Sequence, residues 1–179
     1  MRSSSRDEEF TAFVTQARPG LLRSARLLTT GDVARAEDLV QQVLVRLYVR
    51  WPNVARADDP VRYAHRALVN GFIDDSRRVH RQREWSTDDP ARSEVIAEGD
   101  EPGDPIRRQQ VLTALASLPP GQRAVVVLRH WLDWSVDQTA HALGISTGAV
   151  KSQNHKALSA LRDALPELSP VLTTEGTSS

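Results

Sequence analysis

The stretch Ser135-Val136-Asp137-Gln138-Thr139-Ala140-His141-Ala142-Leu143-Gly144-Ile145-Ser146-Thr147-Gly148-Ala149-Val150-Lys151-Ser152-Gln153-Asn154-His155-Lys156 decides how the chain is read. Ser135 and Gln138 have the spacing of a capping box, in which the hydroxyl accepts from the Gln138 amide and the Gln138 side chain reaches back to the Ser135 amide. A helix therefore starts there and runs to Gly144, a residue that tolerates the left-handed conformation of a tight exit. Ile145 is expected to turn inward and Ser146 to cap a second helix. Two helices that cross closely need a small residue at the crossing, glycine in the turn and an apolar residue returning to the core. Ala140, Gly144 and Val150 fill those places, the spacing of a DNA-reading helix-turn-helix.

A plain helical hairpin meets the same spacing. The second helix argues against it, because Thr147, Lys151, Ser152, Gln153, Asn154 and Lys156 are polar or cationic and no acid occurs from Leu143 to Arg162. A structural helix usually mixes both signs on its exposed side. One that enters a major groove cannot turn carboxylates to phosphates, and its Lys, Gln and Asn side chains have the donors and acceptors to read base edges. Ser146 and the first amides of that helix would lie near the phosphate backbone.

Upstream of this pair, Asp104 and Pro105 read as a cap and first helical position, followed by an apolar stripe of Val111, Leu112, Leu115 and Leu118 that ends at Pro119-Pro120. Gln122 to Trp131 reads as a buried helix, being unbroken apolar from Ala124 to Leu128. Residues 84 to 104 hold eight acids against Arg92 alone, together with two prolines and two glycines, so the formal neutrality of the 179-residue chain hides two basic blocks around an acidic linker. Residues 167 to 179 read as a disordered tail.

The first block, residues 7 to 83, has apolar residues recurring at three and four, so it too is helical. Val33 to Trp51 carries Ala36, Val40, Val43, Leu44, Leu47 and Trp51 on one stripe, with Pro52 as its stop. A helix from about Asp7 to Thr29 is expected to break at Pro19-Gly20. Another from Pro60 to about Arg83 has Asp59 as its cap and a polar stripe of Arg62, Arg66, Asn70, Asp74, Arg78 and Arg81. Asp74 and Arg78 have the spacing to pair, and a solvated face is the plainer reading of that stripe. The expected fold is all-α, two small helical domains with boundaries at 7–83 and 105–166.

Arg35-Ala36-Glu37-Asp38-Leu39-Val40-Gln41-Gln42-Val43-Leu44-Val45-Arg46-Leu47-Tyr48 resembles the core-polymerase-binding helix of sigma-70 region 2. Leu118-Pro119-Pro120-Gly121-Gln122-Arg123 resembles the entry to region 4. Gly148-Ala149-Val150-Lys151-Ser152, with His155, Ala157, Leu158 and Leu161-Arg162, is similar to that region's recognition helix. The blocks come in the right order with a gap too short for a folded region 3, which points to the extracytoplasmic-function (ECF) group of sigma factors.

The resemblance implies a transcription initiation factor without catalytic activity or cofactor, working in the cytoplasm. Its partners would be core RNA polymerase, through the β′ clamp and the β flap, promoter DNA and, in many members, an anti-sigma factor. It implies core binding by Glu37, Asp38, Gln41 and Arg46. Minus-ten contacts fall to Arg62, Tyr63, Arg66, Asn70, Arg77 and Arg78, with stacking from Tyr63, Phe72 or Trp85. Helix-turn-helix contacts fall to Ser146, Thr147, Lys151, Ser152, Gln153, His155 and Lys156. Members often carry Arg or another long side chain where this chain has Gln153 and Asn154, so no typical minus-thirty-five preference is transferred.

Two rival readings are an autonomous helix-turn-helix regulator and a helical enzyme. The first lacks the alternating strands of a receiver domain, and the second lacks a nucleophile, a phosphate loop or paired catalytic carboxylates. The chain has no cysteine, and His65, His80, His130, His141 and His155 show no metal-ligand spacing. No apolar run is long enough to span a membrane and no signal peptide is recognisable at the N-terminus, so no membrane insertion is expected.

Overall fold

The computed structural model describes residues 2–85 and 104–165, all of whose regular elements are helical. The chain divides into two compact units, Met1–Ser93 and Glu94–Ser179. The acidic segment and the C-terminal tail lie outside the described residues, apart from the helical backbone at 84–85 and the cap at Asp104.

In the first unit α1 spans Arg2–Leu28, α2 Val33–Val49, α3 Trp51–Val54 and α4 Pro60–Trp85. The break expected at Pro19 is absent: α1 runs through it. Proline removes one amide donor from the helix ladder, but Ala17, Leu21, Ala25 and Leu28 are fully buried along one line of α1, against α2 and α4. Each large aliphatic side chain so buried stabilises by about 1.5–3 kcal/mol, which offsets the roughly 3 kcal/mol of a mid-helix proline. Burial overrides propensity here.

Helix α1 ends in a tight turn, with Thr30 at φ 57° and Gly31 at φ 91°, and Asp32 then caps α2 by accepting from the Arg35 amide at 2.9 Å. The buried line of α2 is Ala36, Leu39, Val40, Val43 and Leu47, while Leu44 is only half-buried. Pro52 does not simply stop the helix. The chain bends at Arg50 and Pro52 enters a new single turn, α3, as one of its first residues, where a missing amide costs nothing.

That bend buries Trp51 in an aromatic cluster, with Phe13 and Phe10 at ring-centroid distances of 4.9 and 5.1 Å and Tyr48 packed 5.1 Å from Phe10. The Tyr48 hydroxyl donates to Asp7 at 2.7 Å, and that hydrogen bond raises the phenol's pKa. The Arg6 guanidinium stacks 4.7 Å from the Tyr48 ring centre. Asp59 caps α4 by accepting from the Arg62 amide at 2.8 Å, and Ala64, Leu68, Val69 and Phe72 complete the core.

His65 is buried on α4 with Nδ1 3.0 Å from the Val61 carbonyl, its ring over Gly20 of α1. Burial is the largest influence on it and lowers its pKa from the ordinary 6.5, against smaller opposing effects of the Val61 and Gly20 backbone.

In the second unit α5 spans Pro105–Ala116, α6 Pro120–Val126, α7 Val136–Leu143 and α8 Thr147–Ala164. Asp104 caps α5 by accepting from the Ile106 amide at 3.0 Å. Carbonyls at and just beyond its end are taken by Arg123, whose guanidinium donates to Leu115 at 2.9 Å and to Leu118, two residues past the helix, at 3.0 Å. The buried helix expected over 122–131 is two elements. After Val126 the backbone widens into a π-helical turn, Val127–Trp131, and the Leu132 amide donates five residues back to Val127 at 3.0 Å. Asp133 then takes a positive φ of 54°, while Trp134 turns back into the core.

The capping box at the start of α7 is complete, with Gln138 N to Ser135 Oγ at 3.1 Å and Ser135 N to Gln138 Oε1 at 2.9 Å. Gly144 ends α7 at φ 65°, and Ser146 caps α8 by accepting from the Ala149 amide at 3.1 Å. Val125, Ala140 and Val150 meet at the crossing, with Ile145 packed against them.

Two outcomes follow from this packing. A Cβ at Gly144 would touch nothing within 4 Å, so Gly144→Ala carries backbone strain alone, about 1–2 kcal/mol, and Gly144→Asn carries less. Chemical denaturation should rank the three proteins wild type, Gly144→Asn, Gly144→Ala, from most to least stable. For His65 the folded pKa lies below the unfolded value, so the unfolded chain binds more protons as pH falls through 6.5. The first unit should lose stability over that range, the loss levelling off below the folded pKa. Denaturation midpoints between about pH 7.5 and pH 5 should drop further in the wild type than in His65→Gln.

Candidate polymerase and DNA interfaces

Helix α2 buries one line, so its opposite line is what the first unit turns outward. That line runs through Asp38, Gln41, Val45 and Val49, with Gln42 beside it, all exposed. Val45 is 62% and Val49 70% exposed, an apolar pair among polar neighbours. Glu37 is also exposed, but it lies about three turns before Tyr48 on the α1 margin of the helix. Arg46 is on the other margin, its guanidinium reaching to 4.0 Å from where a Cβ on Gly71 of α4 would stand. Of the four residues expected to bind polymerase, Asp38 and Gln41 thus share the outward line and Glu37 and Arg46 flank it. The sequence reading missed the valines, although their helical phase, opposite Ala36, Val40, Val43 and Leu47, carries the signal.

On α4, Tyr63, Arg66, Asn70, Asp74, Arg77 and Arg81 fall along one outward line. Tyr63, Arg66 and Arg77 are exposed, and Arg62 and Asn70 are half-buried. Phe72 is buried in the core and is therefore withdrawn from the residues expected to stack on a base. The side chain of Trp85 lies outside the described residues. Arg78 pairs with Asp75 rather than with Asp74: Nη2 is 2.8 Å from Oδ1. The other oxygen of Asp75 accepts from Arg35 of α2 at 3.0 Å, joining the two helices.

On α8, Val150, Ala157 and Leu161 are buried, and the far side exposes Thr147, Gly148, Lys151, Ser152, His155, Lys156 and Ser159. Ser146 is exposed at the cap, its hydroxyl engaged with the Ala149 amide. Gln153 and Asn154 are turned aside. Gln153 Oε1 lies 3.1 Å from where a Cβ on Gly121 would stand, and Asn154 Oδ1 is 2.8 Å from Nε2 of His130 in the π-helical turn. Both are half-buried flank residues that brace α8 against the α6 region. Gln153, one of the residues expected to face DNA, is thus half-buried on the α6 side of α8, apart from the exposed Lys151, Ser152, His155 and Lys156. Among the described residues no group of three His, Asp or Glu side chains has metal-binding geometry, and no helix is long and apolar enough to cross a membrane.

Comparison with known proteins agrees with both units. Residues 13–83 match the family model of sigma-70 region 2, and residues 108–161 match that of sigma-70 region 4. The chain is 38% identical over 157 residues to an RNA polymerase sigma-E factor of Streptomyces avermitilis, an alignment covering 88% of this chain and 85% of the relative. It is 37% identical over 144 residues to the ECF RNA polymerase sigma factor SigL of Mycobacterium tuberculosis, covering 79% and 81%. The sigma factor RpoE of Bartonella quintana, solved in complex with the anti-sigma factor NepR, shares the fold with a TM-score of 0.75 at 23% identity, over 89% of this chain and 98% of that one. The chain belongs to the sigma-70 family, in its extracytoplasmic-function group, and is a transcription initiation factor that binds core RNA polymerase.

Proposed function

We propose that the first unit docks on the β′ clamp of core polymerase through the outward line of α2, with Asp38, Gln41, Val45 and Val49 at its centre and Glu37 and Arg46 at its margins. The observation that carries this is the exposed pair Val45 and Val49. Two adjacent large apolar residues on the side of a helix away from its own core gain free energy only when a partner covers them.

In the same reading α4 meets the non-template strand of the minus-ten element. Tyr63 supplies a stacking face, Asn70 hydrogen bonds to an extruded base, and Arg62, Arg66, Arg77 and Arg78 hold phosphates. Unstacking a base costs a few kcal/mol, which stacking on an aromatic side chain and several cation contacts recover. The second unit enters the minus-thirty-five major groove with α8, through Thr147, Lys151, Ser152, His155 and Lys156, and meets the β flap. Two weak DNA contacts spaced by the polymerase add through effective concentration, so the free chain binds promoters poorly. The chain makes and breaks no bonds and works in the cytoplasm. An anti-sigma factor is a further partner, since the sigma factor that shares this fold was solved with one bound; covering the outward line of α2 would be a direct way for it to block core binding.

Co-elution with core polymerase tests the docking face. Val45→Glu/Val49→Glu should weaken core binding more than tenfold with the thermal midpoint unchanged, because both positions are exposed. Undiminished binding by that variant would remove α2 as the docking face. With holoenzyme, Lys151→Ala should weaken all upstream duplexes alike and lower the salt slope by about 0.9, as when one phosphate is no longer neutralised. Gln153→Ala should leave both unchanged.

A further inference from the structure

Asp75 lies between two guanidinium groups. Its Oδ1 accepts from Arg78 of its own helix at 2.8 Å and its Oδ2 from Arg35 of α2 at 3.0 Å. The Asp75 side chain is 29% exposed and Arg78 65% exposed. A guanidinium donates to a carboxylate and to a phosphate with the same planar fork, so whatever holds Arg78 on Asp75 competes with its use on a nucleic acid.

We propose that Asp75 is a positioning residue that acts as an internal stand-in for phosphate: it holds Arg78 at the α2 margin of the DNA-facing line and yields it to the promoter strand. The inference rests on the reading of α4 as the minus-ten helix. Three features make the exchange a workable one. The Arg78 pair is exposed, and ion pairs of that kind are worth at most about 1 kcal/mol, so a backbone phosphate competes with it easily. Arg35 remains on Oδ2 when Arg78 leaves, so the half-buried carboxylate is never stranded without a cation. Asp74, one residue earlier and more exposed, has the same charge on the DNA-facing line itself and so adds only general repulsion. The consequence is selectivity. Arg78 contributes where a strand is already held by the rest of α4 and contributes little to incidental binding.

The test is a double-mutant cycle on the full chain, with a short mixed-sequence single-stranded DNA as probe and fluorescence anisotropy at several salt concentrations. Asp75→Asn should tighten binding about threefold, the size of one exposed ion pair released, and steepen the salt slope by about 0.7, as for one added phosphate contact. In an Arg78→Ala background that gain should shrink to the smaller effect of Asp74→Asn, which should itself be the same in both backgrounds. Equal gains for Asp75→Asn and Asp74→Asn irrespective of Arg78 would overturn the proposal, leaving only a general charge effect. Weaker binding by Asp75→Asn would overturn it too, since the carboxylate would then orient Arg78 for DNA and not compete for it. If Arg78→Ala changes neither affinity nor salt slope even in the Asp75→Asn background, where the guanidinium is released, the fault lies earlier, in the assignment of Arg78 to the DNA face.

Discussion

A helix in a small bundle can bury only one side, and α2 shows what depends on that limit. Ala36, Leu39, Val40, Val43 and Leu47 fill the space between α1 and α4, which fixes the rotation of α2 about its own axis and so determines what it turns outward. The aromatic cluster around Trp51 reinforces that rotation at the C-terminal end, where Arg6, Asp7 and Phe10 of α1 hold Tyr48. With the phase fixed, Val45 and Val49 have nowhere in the unit to go. The same packing puts Arg35 beside α4, where Asp75 receives it. A slip of one residue along α2 would change both the face it turns outward and its link to α4.

The second unit solves the same problem by different means. The crossing of Val125, Ala140 and Val150 sets the distance between α6, α7 and α8, and the ends of α8's neighbours set its rotation. Gln153 against Gly121 and Asn154 against His130 brace its two flanks, so that Lys151, Ser152 and His155 remain outside. The π-helical turn has a structural consequence here: it brings His130 to Asn154 and lets Trp134 return to the core four residues later. A recognition helix needs this rigidity, because a side chain displaced by about 1 Å from its base forms no better hydrogen bond than one that is missing.

Much of this was legible in the sequence, and the reason is local. Caps at Asp59, Asp104, Ser135 and Ser146 and the left-handed glycine at 144 depend on residues within one turn, so their chemistry is written in adjacent positions. What the sequence did not disclose depends on distant neighbours. Pro19 stays in a helix because α2 and α4 bury the residues around it. The π-helical turn has no local signature in Val127–Trp131, whose unbroken apolar start reads equally well as an ordinary helix. Phe72 had to be buried or outward according to the rotation of α4, and Gln153 according to that of α8, neither of which polarity alone decides. Asp74 and Arg78 had the better helical spacing, but Asp75 has Arg35 to share, and the pair formed there.

The central claim is that the chain gives polymerase its choice of promoter and has little DNA preference alone. Run-off transcription from a supercoiled library of promoter fragments tests it most directly, with core polymerase, the chain, or both. Initiation at a discrete set of sites sharing two elements at fixed spacing, and only with both proteins present, is the expected result. Sequence-specific binding of duplex DNA by the chain alone, with the start sites of the polymerase unchanged, would contradict it and favour an autonomous helix-turn-helix regulator.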